Sequence, residues 1–311
     1  MDLVVPRRAP GADGTLLKLT PGSIASGQPG RGSDAASGRP GLAAGSPAAR
    51  AMSLGQEQMP GRASGASPHE TAGWRYVGFQ VVQLAQGQQV QQQPLSDEAC
   101  VVVLSGRCHA TAGDQEWREV GGRDSPFDGP PHALYLPRGT AYCLQANTPR
   151  VEIAIGFAPC SNEHRYEPRL ITPEEVRVST RGSGTTERTI HDILMEDQPA
   201  ETLLVTEVLT PGGHWSSYPP HKHDTDDLPR EAYLEELYYH RLMRPEGWAI
   251  QRVYTRDRGL DATMTVRDGD CVLVPRGYHP VSAAPGFDLY YLNVMAGPVR
   301  QWRVTFDPDV G

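Results

Sequence analysis

Two seven-residue segments of this chain mirror one another around an identical Pro-Arg-Gly, Tyr135-Leu136-Pro137-Arg138-Gly139-Thr140-Ala141 and Leu273-Val274-Pro275-Arg276-Gly277-Tyr278-His279. In both copies a β-prone run closes on a Pro-Arg-Gly turn, which ends strands and excludes a continuing helix. Such a repeat requires two copies of one structural unit. The surrounding text is of the same kind. WRYVGFQVVQL from Trp74, ACVVVLSGRCHATA from Ala99, LLVTEVLT from Leu203, WAIQRVYT from Trp248, DATMTV from Asp261 and FDLYYLNVMAG from Phe287 place branched or aromatic residues in short runs between turns. With 33 glycines, 28 prolines and no long amphipathic helical period, the chain reads as all-β, two barrels or sandwiches of short strands.

The two copies differ where chemistry would sit, Ala141 in the first against His279 in the second. Upstream of the second copy, Gly212 to His240 reads GGHWSSYPPHKHDTDDLPREAYLEELYYH. His221 and His223 fall two apart, so on an extended backbone they point to one side. In LEELYYH, Glu236, Tyr238 and His240 share one face and Glu235, Leu237 and Tyr239 the other. Three imidazoles (His221, His223, His279) and one carboxylate, Glu235 or Glu236, make the ligand set of a catalytic divalent metal with a position left for water or substrate. The first half has no His-x-His before Glu98, only QQVQQQPLSD, so its barrel is expected to be structural.

The His-x-His, the following Glu and the Pro-x-Gly-x-His resemble the two cupin motifs. The texts SSYPPHKHD, EELYYHR, QRVYT, LVPRGYHPV and DLYYLNVMAGP resemble the IolB family, over roughly Ala72 to Trp302. The resemblance implies two cupin barrels of double-stranded β-helix (jelly-roll) type. An N-terminal barrel lacking metal ligands would span 71–160, a connecting segment 161–200, and a metal-binding barrel 201–305. It also implies metal-dependent isomerisation of 5-deoxy-D-glucuronate to 5-dehydro-2-deoxy-D-gluconate in myo-inositol catabolism, a cytoplasmic reaction on a small uronate, with a homo-oligomer as a possible assembly. Similarity to the Glu-hydrophobic-aromatic text of KduI-type uronate isomerases favours Glu236 as the ligand. Zinc is the expected ion, with iron, manganese or nickel left open by the donor set.

An aldose to ketose isomerisation needs the substrate's carbonyl and adjacent hydroxyl held by the ion, a base to take the C2 proton, and return of a proton to C1. Glu235, His240 and Tyr254 are the candidate bases. The substrate carboxylate asks for a cation, and Arg252, Arg276 and Lys222 are the candidates. Arginine's planar fork suits a carboxylate, which favours Arg252 on the strand face of Tyr254. A cupin dioxygenase would use a similar ligand set with iron and consume oxygen. A sugar-phosphate isomerase would want a phosphate cradle, and a non-enzymatic bicupin would have lost both motifs.

A net charge of −8 gives no electrostatic support to nucleic-acid binding. No apolar run approaches the roughly 18 residues of a membrane span. Five cysteines without a CxxC are expected to be reduced. Residues 1–70, rich in Gly, Ala, Ser and Pro, are expected to be disordered, with Met52 or Met59 as an alternative start. In the connection, Thr172-Pro173-Glu174-Glu175 is expected to open a short helix. Arg181-Gly182-Ser183-Gly184 reads as a flexible linker, with an approach to an anion as its alternative. His191-Asp192 reads as a satisfied pair, with a catalytic dyad as its alternative.

Overall fold

A computed structural model describes residues 3–7, 9–11, 14–19, 74–93, 95–160 and 166–310. Among them, 23 strands and one 3-10 turn, Gly184–Thr186, make up the regular structure, as the missing helical period predicts.

In the first half, Gly78–Ala85, Glu98–Ser105, Ala133–Leu136 and Arg150–Ala158 anchor a six-stranded sheet, and a four-stranded sheet faces it. Val101, Val103, Leu134, Leu144 and Ile153 fill the space between them. In the second half the strands Leu204–Thr210, Glu235–Leu242, Cys271–Val274 and Leu289–Ala296 anchor a seven-stranded sheet. A four-stranded sheet containing Ala249–Tyr254 faces it across Tyr238, Val253, Val272 and Tyr291. The repeat is topological too: Glu98–Ser105 lies between Ala133–Leu136 and Arg150–Ala158, as Glu235–Leu242 lies between Cys271–Val274 and Leu289–Ala296.

The two large sheets also share a core. Phe79, Val102 and Ala154 of the first pack with Leu237, Tyr239, Leu292 and Val294 of the second. A Cβ on Gly156 would come within 2.8 Å of Val294 Cγ1, which shows how closely the sheets meet. Their central strands are therefore buried on both faces, and apolar residues occupy both sides of each strand.

Strand register identifies equivalent residues in the two barrels. Ala99 lies opposite Leu136 and Glu236 opposite Val274, and both partners immediately precede a Pro-Arg-Gly turn. Ala99 is thus the counterpart of Glu236, and Glu98 of Glu235. These last two glutamates do the same job reciprocally. Glu235 accepts the N–H groups of Arg75, Tyr76 and Val77 at 2.8, 2.7 and 3.0 Å. Glu98 accepts those of Glu201, Thr202 and Leu203 at 2.9, 2.6 and 2.6 Å. Each barrel buries a carboxylate that gathers three amides from the chain entering the other, so neither set of donors is left unsatisfied.

Several expectations are corrected. Part of the N-terminal extension is ordered. Val4–Val5 pairs with Cys271–Val274, Thr15–Leu19 pairs with Gly78–Ala85, and Leu3, Leu16, Leu17 and Leu19 are buried. A chain starting at Met52 or Met59 would lose both strands. Residues 20–70 lie outside the described residues. The segment 161–200 supplies strands to both barrels, Arg169–Ile171 to the first and Arg177–Arg181 and Arg188–Leu194 to the second. Thr172 to Glu175 is a turn closed by Glu175 N–H donating to the Thr172 carbonyl at 3.0 Å, not a helix. His191 and Asp192 alternate to opposite sides of their strand. The first meets Glu207 at 2.7 Å and the second pairs with Arg177 at 2.7 Å, so they form no dyad. All five cysteines are free thiols. Among the described residues no helix is long and apolar enough to cross a membrane.

Candidate metal centre

Inside the second barrel the Nε2 or Nδ1 atoms of His221, His223 and His279 lie within 4.8 Å of one another. Glu236 Oε2 is 2.9 Å from His223 Nε2 and 3.0 Å from His279 Nε2. The other nitrogens of these two rings are occupied: His223 Nδ1 donates to the Leu234 carbonyl at 2.9 Å and His279 Nδ1 to the Gly277 carbonyl at 2.8 Å. Those bonds fix the tautomer that aims the Nε2 lone pairs at a common point. His279 Nε2, fully buried, has no hydrogen bond of acceptable geometry despite the nearby carboxylate. An orphaned imidazole nitrogen facing two further imidazoles and a carboxylate fits a divalent cation. Burial pushes His221 well below its ordinary pKa, and the His279 and His223 rings push the same way, which keeps a lone pair available. Burial alone would raise the Glu236 carboxyl, but His279 and His223 outweigh it and hold the group below the usual carboxylate range.

Local sequence explains how the four residues meet. His221 sits on a short strand, His221–Lys222, paired with Thr305–Phe306. Glu236 projects inward from Glu235–Leu242. His279 follows the Pro-Arg-Gly turn, where Gly277 has φ +88° and a Cβ would fall 2.3 Å from the Tyr254 carbonyl oxygen, so only glycine closes that turn.

A cleft of about 380 Å³ opens onto the cluster. His221, Glu236, Tyr238, Tyr291 and Asn293 form its floor, Trp302 comes from the C-terminal segment, and Arg181, Arg188 and Asp192 come from the hairpin Arg177–Leu194. Ser217, at φ +48°, places its hydroxyl 2.9 Å from the Tyr238 hydroxyl and 3.4 Å from that of Tyr291. Burial pushes both phenols up, so they stay protonated near neutral pH.

The remaining site candidates lie elsewhere. Glu235 faces the first barrel through the amides already described and cannot serve as base in the cleft. Arg252 is on the outer face of Ala249–Tyr254, bidentate to Asp261 at 2.9 Å and stacked 4.3 Å over the Tyr254 ring. The inner face of that strand carries Ala249, Gln251 and Val253. Tyr254 donates to Asp307, away from the cleft. Lys222 is held by Asp224 and Glu231 at 2.7 and 2.8 Å. Arg276 is exposed on its turn and lines no part of the cleft. Arg252→Ala and Arg276→Ala are therefore expected to leave KM for substrate within about twofold of wild type, as exposed pairs contribute little. A tenfold rise in steady-state KM with either variant would return that arginine to the site.

His240 faces inward but lies beyond the cleft, its Nε2 2.9 Å from Gln251 Oε1 and its ring stacked on Tyr238 at 6.0 Å. Burial lowers its pKa from 6.5 to about 4, against a small opposing effect of Gln251. An unfolded chain protonates this group at the ordinary value, so acid favours unfolding between pH 6.5 and about 4. The loss across that window is about 3 kcal/mol, complete below the folded pKa and absent above the unfolded one. Chemical denaturation of His240→Gln should show a shallower pH slope there than wild type. An unchanged slope would mean that the ring is protonated when folded.

Sequence reading missed Arg188 and Trp302, and it offered Arg181 only as an alternative approach to an anion and Asp192 only as an alternative dyad partner of His191. The period-two pattern of Arg188, Ile190 and Asp192 was the available signal, obscured by the glycine-rich turn.

Back-to-back β-barrels, one apolar inside and one carrying a three-histidine, one-glutamate cluster, define a bicupin with one candidate metal centre among the described residues. An oxalate decarboxylase of Lactobacillus farciminis shares this fold at a TM-score of 0.55 and 13% identity, over 78% of this chain and 82% of that one. The chain belongs to the KduI/IolB family, whose model matches residues 56–311. A 5-deoxy-glucuronate isomerase of Geobacillus kaustophilus is 52% identical over 241 residues, 77% of this chain and 86% of the relative. One of Halalkalibacterium halodurans is 42% identical over 77% of this chain and 88% of its own length. The crystal structure of an IolB-like protein from Salmonella typhimurium LT2 superposes with a TM-score of 0.75 at 46% identity, over 78% of this chain and 92% of that one.

Proposed function

We propose that this chain is a metal-dependent aldose–ketose isomerase that converts 5-deoxy-D-glucuronate to 5-dehydro-2-deoxy-D-gluconate, in the cytoplasm, as a step of myo-inositol breakdown. One observation carries the reading: His221, His223, Glu236 and His279 converge beside a cleft of substrate size, in a member of a family whose relatives bear that activity's name.

His221, His223 and His279 with Glu236 would hold the ion, and the nitrogen-rich set suits zinc, while iron, manganese and nickel accept the same donors. A divalent ion bound there supplies Lewis acidity toward a carbonyl and its neighbouring hydroxyl, which makes the C2 proton removable. The rest is done by side chains. Glu236 is committed to the imidazoles, and Asp192 is the other carboxylate on the cleft wall. Arg177 Nη2 at 2.7 Å and the Thr206 hydroxyl at 3.3 Å orient it, and it serves as the base that takes the proton from C2 and returns it to C1. Tyr238 and Tyr291, protonated and joined through Ser217, donate hydrogen bonds to substrate hydroxyls.

The test is conversion of 5-deoxy-D-glucuronate by protein purified without chelator, with metal content measured on the same sample. Isomerisation at about one ion per chain supports the reading. A metal-loaded protein that consumes oxygen and forms no ketose would overturn it in favour of a dioxygenase.

A further inference from the structure

The hairpin of Arg177–Arg181 and Arg188–Leu194 sets Arg181 directly across from Arg188. Residues opposed in an antiparallel pair project to the same side with Cβ atoms about 5 Å apart, where like charges repel. A counter-ion between them removes the penalty, but none is supplied from within the described chain. Other arginines nearby are taken, Arg177 by Asp192 and Asp197 and Arg303 by Glu196. Arg188 donates only to the Thr186 carbonyl, at 3.0 Å, and Arg181 lies 5.5 Å over the Trp302 ring. Burial lowers the Arg188 pKa, Tyr291 opposes that in part, and the charge of Arg181, the smallest of the three effects, lowers it further, so an anion placed between them would be welcomed.

Position tells which anion. Both arginines line the cleft that opens on the metal cluster. Trp302 separates the two ends: Arg181 stacks on its ring, and the ring stands edge-on to His221 at 5.9 Å. A short-chain acid with one end at His221 therefore brings its other end to the arginines. We propose that Arg181 and Arg188 are the specificity-determining pair that receives the carboxylate of a uronate while its aldehyde end lies on the His221 side, an inference that rests on the isomerase reading. A planar guanidinium pairs with a carboxylate through two parallel N–H bonds, and two such groups on one hairpin face select the acid over any neutral aldose.

The probe is 5-deoxy-D-glucuronate compared with its uncharged C6 amide, on the full chain as purified with its metal. Steady-state kinetics and equilibrium binding are both measured for wild type, the double variant Arg181→Met/Arg188→Met, and Arg188→Lys. Wild type should prefer the acid by about 10- to 100-fold in KM and in affinity, and the double variant should lose that preference at unchanged metal content. Arg188→Lys should restore part of it, since the charge returns without the fork. An acid preference that survives the double substitution, or one missing from wild type, overturns the assignment. Acid-selective binding that depends on these arginines, in a protein that converts neither compound, would sink the isomerase reading and leave this pair standing. Unchanged KM for the acid in an active double variant would do the reverse.

Discussion

His223→Ala is expected to leave the protein folded, without its ion and without turnover. The imidazole is one of four donors that converge in the second barrel, and it also fixes Glu236 through a contact of 2.9 Å. Removing it leaves two imidazoles and a carboxylate freed from half its support, a set that no longer encloses a cation. On the metal-dependent reading a bound Lewis acid would contribute several kcal/mol to isomerisation, so kcat/KM should fall by at least about a thousandfold. Chelator treatment of wild type should reproduce the loss, and adding back the ion should reverse it in wild type alone. Metal retained at one ion per chain in His223→Ala, or turnover surviving within tenfold, would show that the cluster is not the centre of the chemistry.

Adjacent glutamates should give opposite phenotypes. Glu235→Gln is expected to keep the metal and lose stability, because an amide turns an N–H toward backbone donors that now find a single acceptor oxygen. Three buried amides, of Arg75, Tyr76 and Val77, depend on that carboxylate. Breaking a buried charged contact of this kind costs about 3 kcal/mol, readable as a lower denaturant midpoint. Glu98→Gln should behave alike, since it holds Glu201, Thr202 and Leu203 in the mirrored position. Glu236→Gln should do the opposite, with metal content falling while the midpoint changes little. A Glu235→Gln protein with normal stability and no metal would mean that the two residues have exchanged roles, with Glu235 turned into the barrel.

Much of this was legible in the sequence because it is local. Period-two alternation marked Glu235–Leu242, Ala249–Tyr254 and Leu289–Ala296 as strands with distinct faces, and the repeated Pro-Arg-Gly turn announced two equivalent barrels. The His-x-His spacing and the histidine after the second turn pointed to the histidine cluster without any coordinates, because neighbours on a strand keep fixed relative directions. Alternation says that Glu235 and Glu236 point apart. It does not say which points inward, because both faces of that strand are buried, one inside its barrel and one against the other barrel. Resemblance favoured Glu236, and its contacts with His223 and His279 put that side chain beside the imidazoles.

Only the tertiary structure decided what surrounds the ligands. Arg252 looked suited to a carboxylate, yet its strand turns that face outward, where Asp261 meets it. The cations at the cleft come instead from a segment that reads as a linker, and Arg181 meets Arg188 only because a hairpin closes and folds back over the barrel mouth. Strands, turns and ligand types follow from steric rules that act over a few residues. Which side chains share a cavity depends on pairings between residues distant along the chain, fixed by the packing of whole sheets.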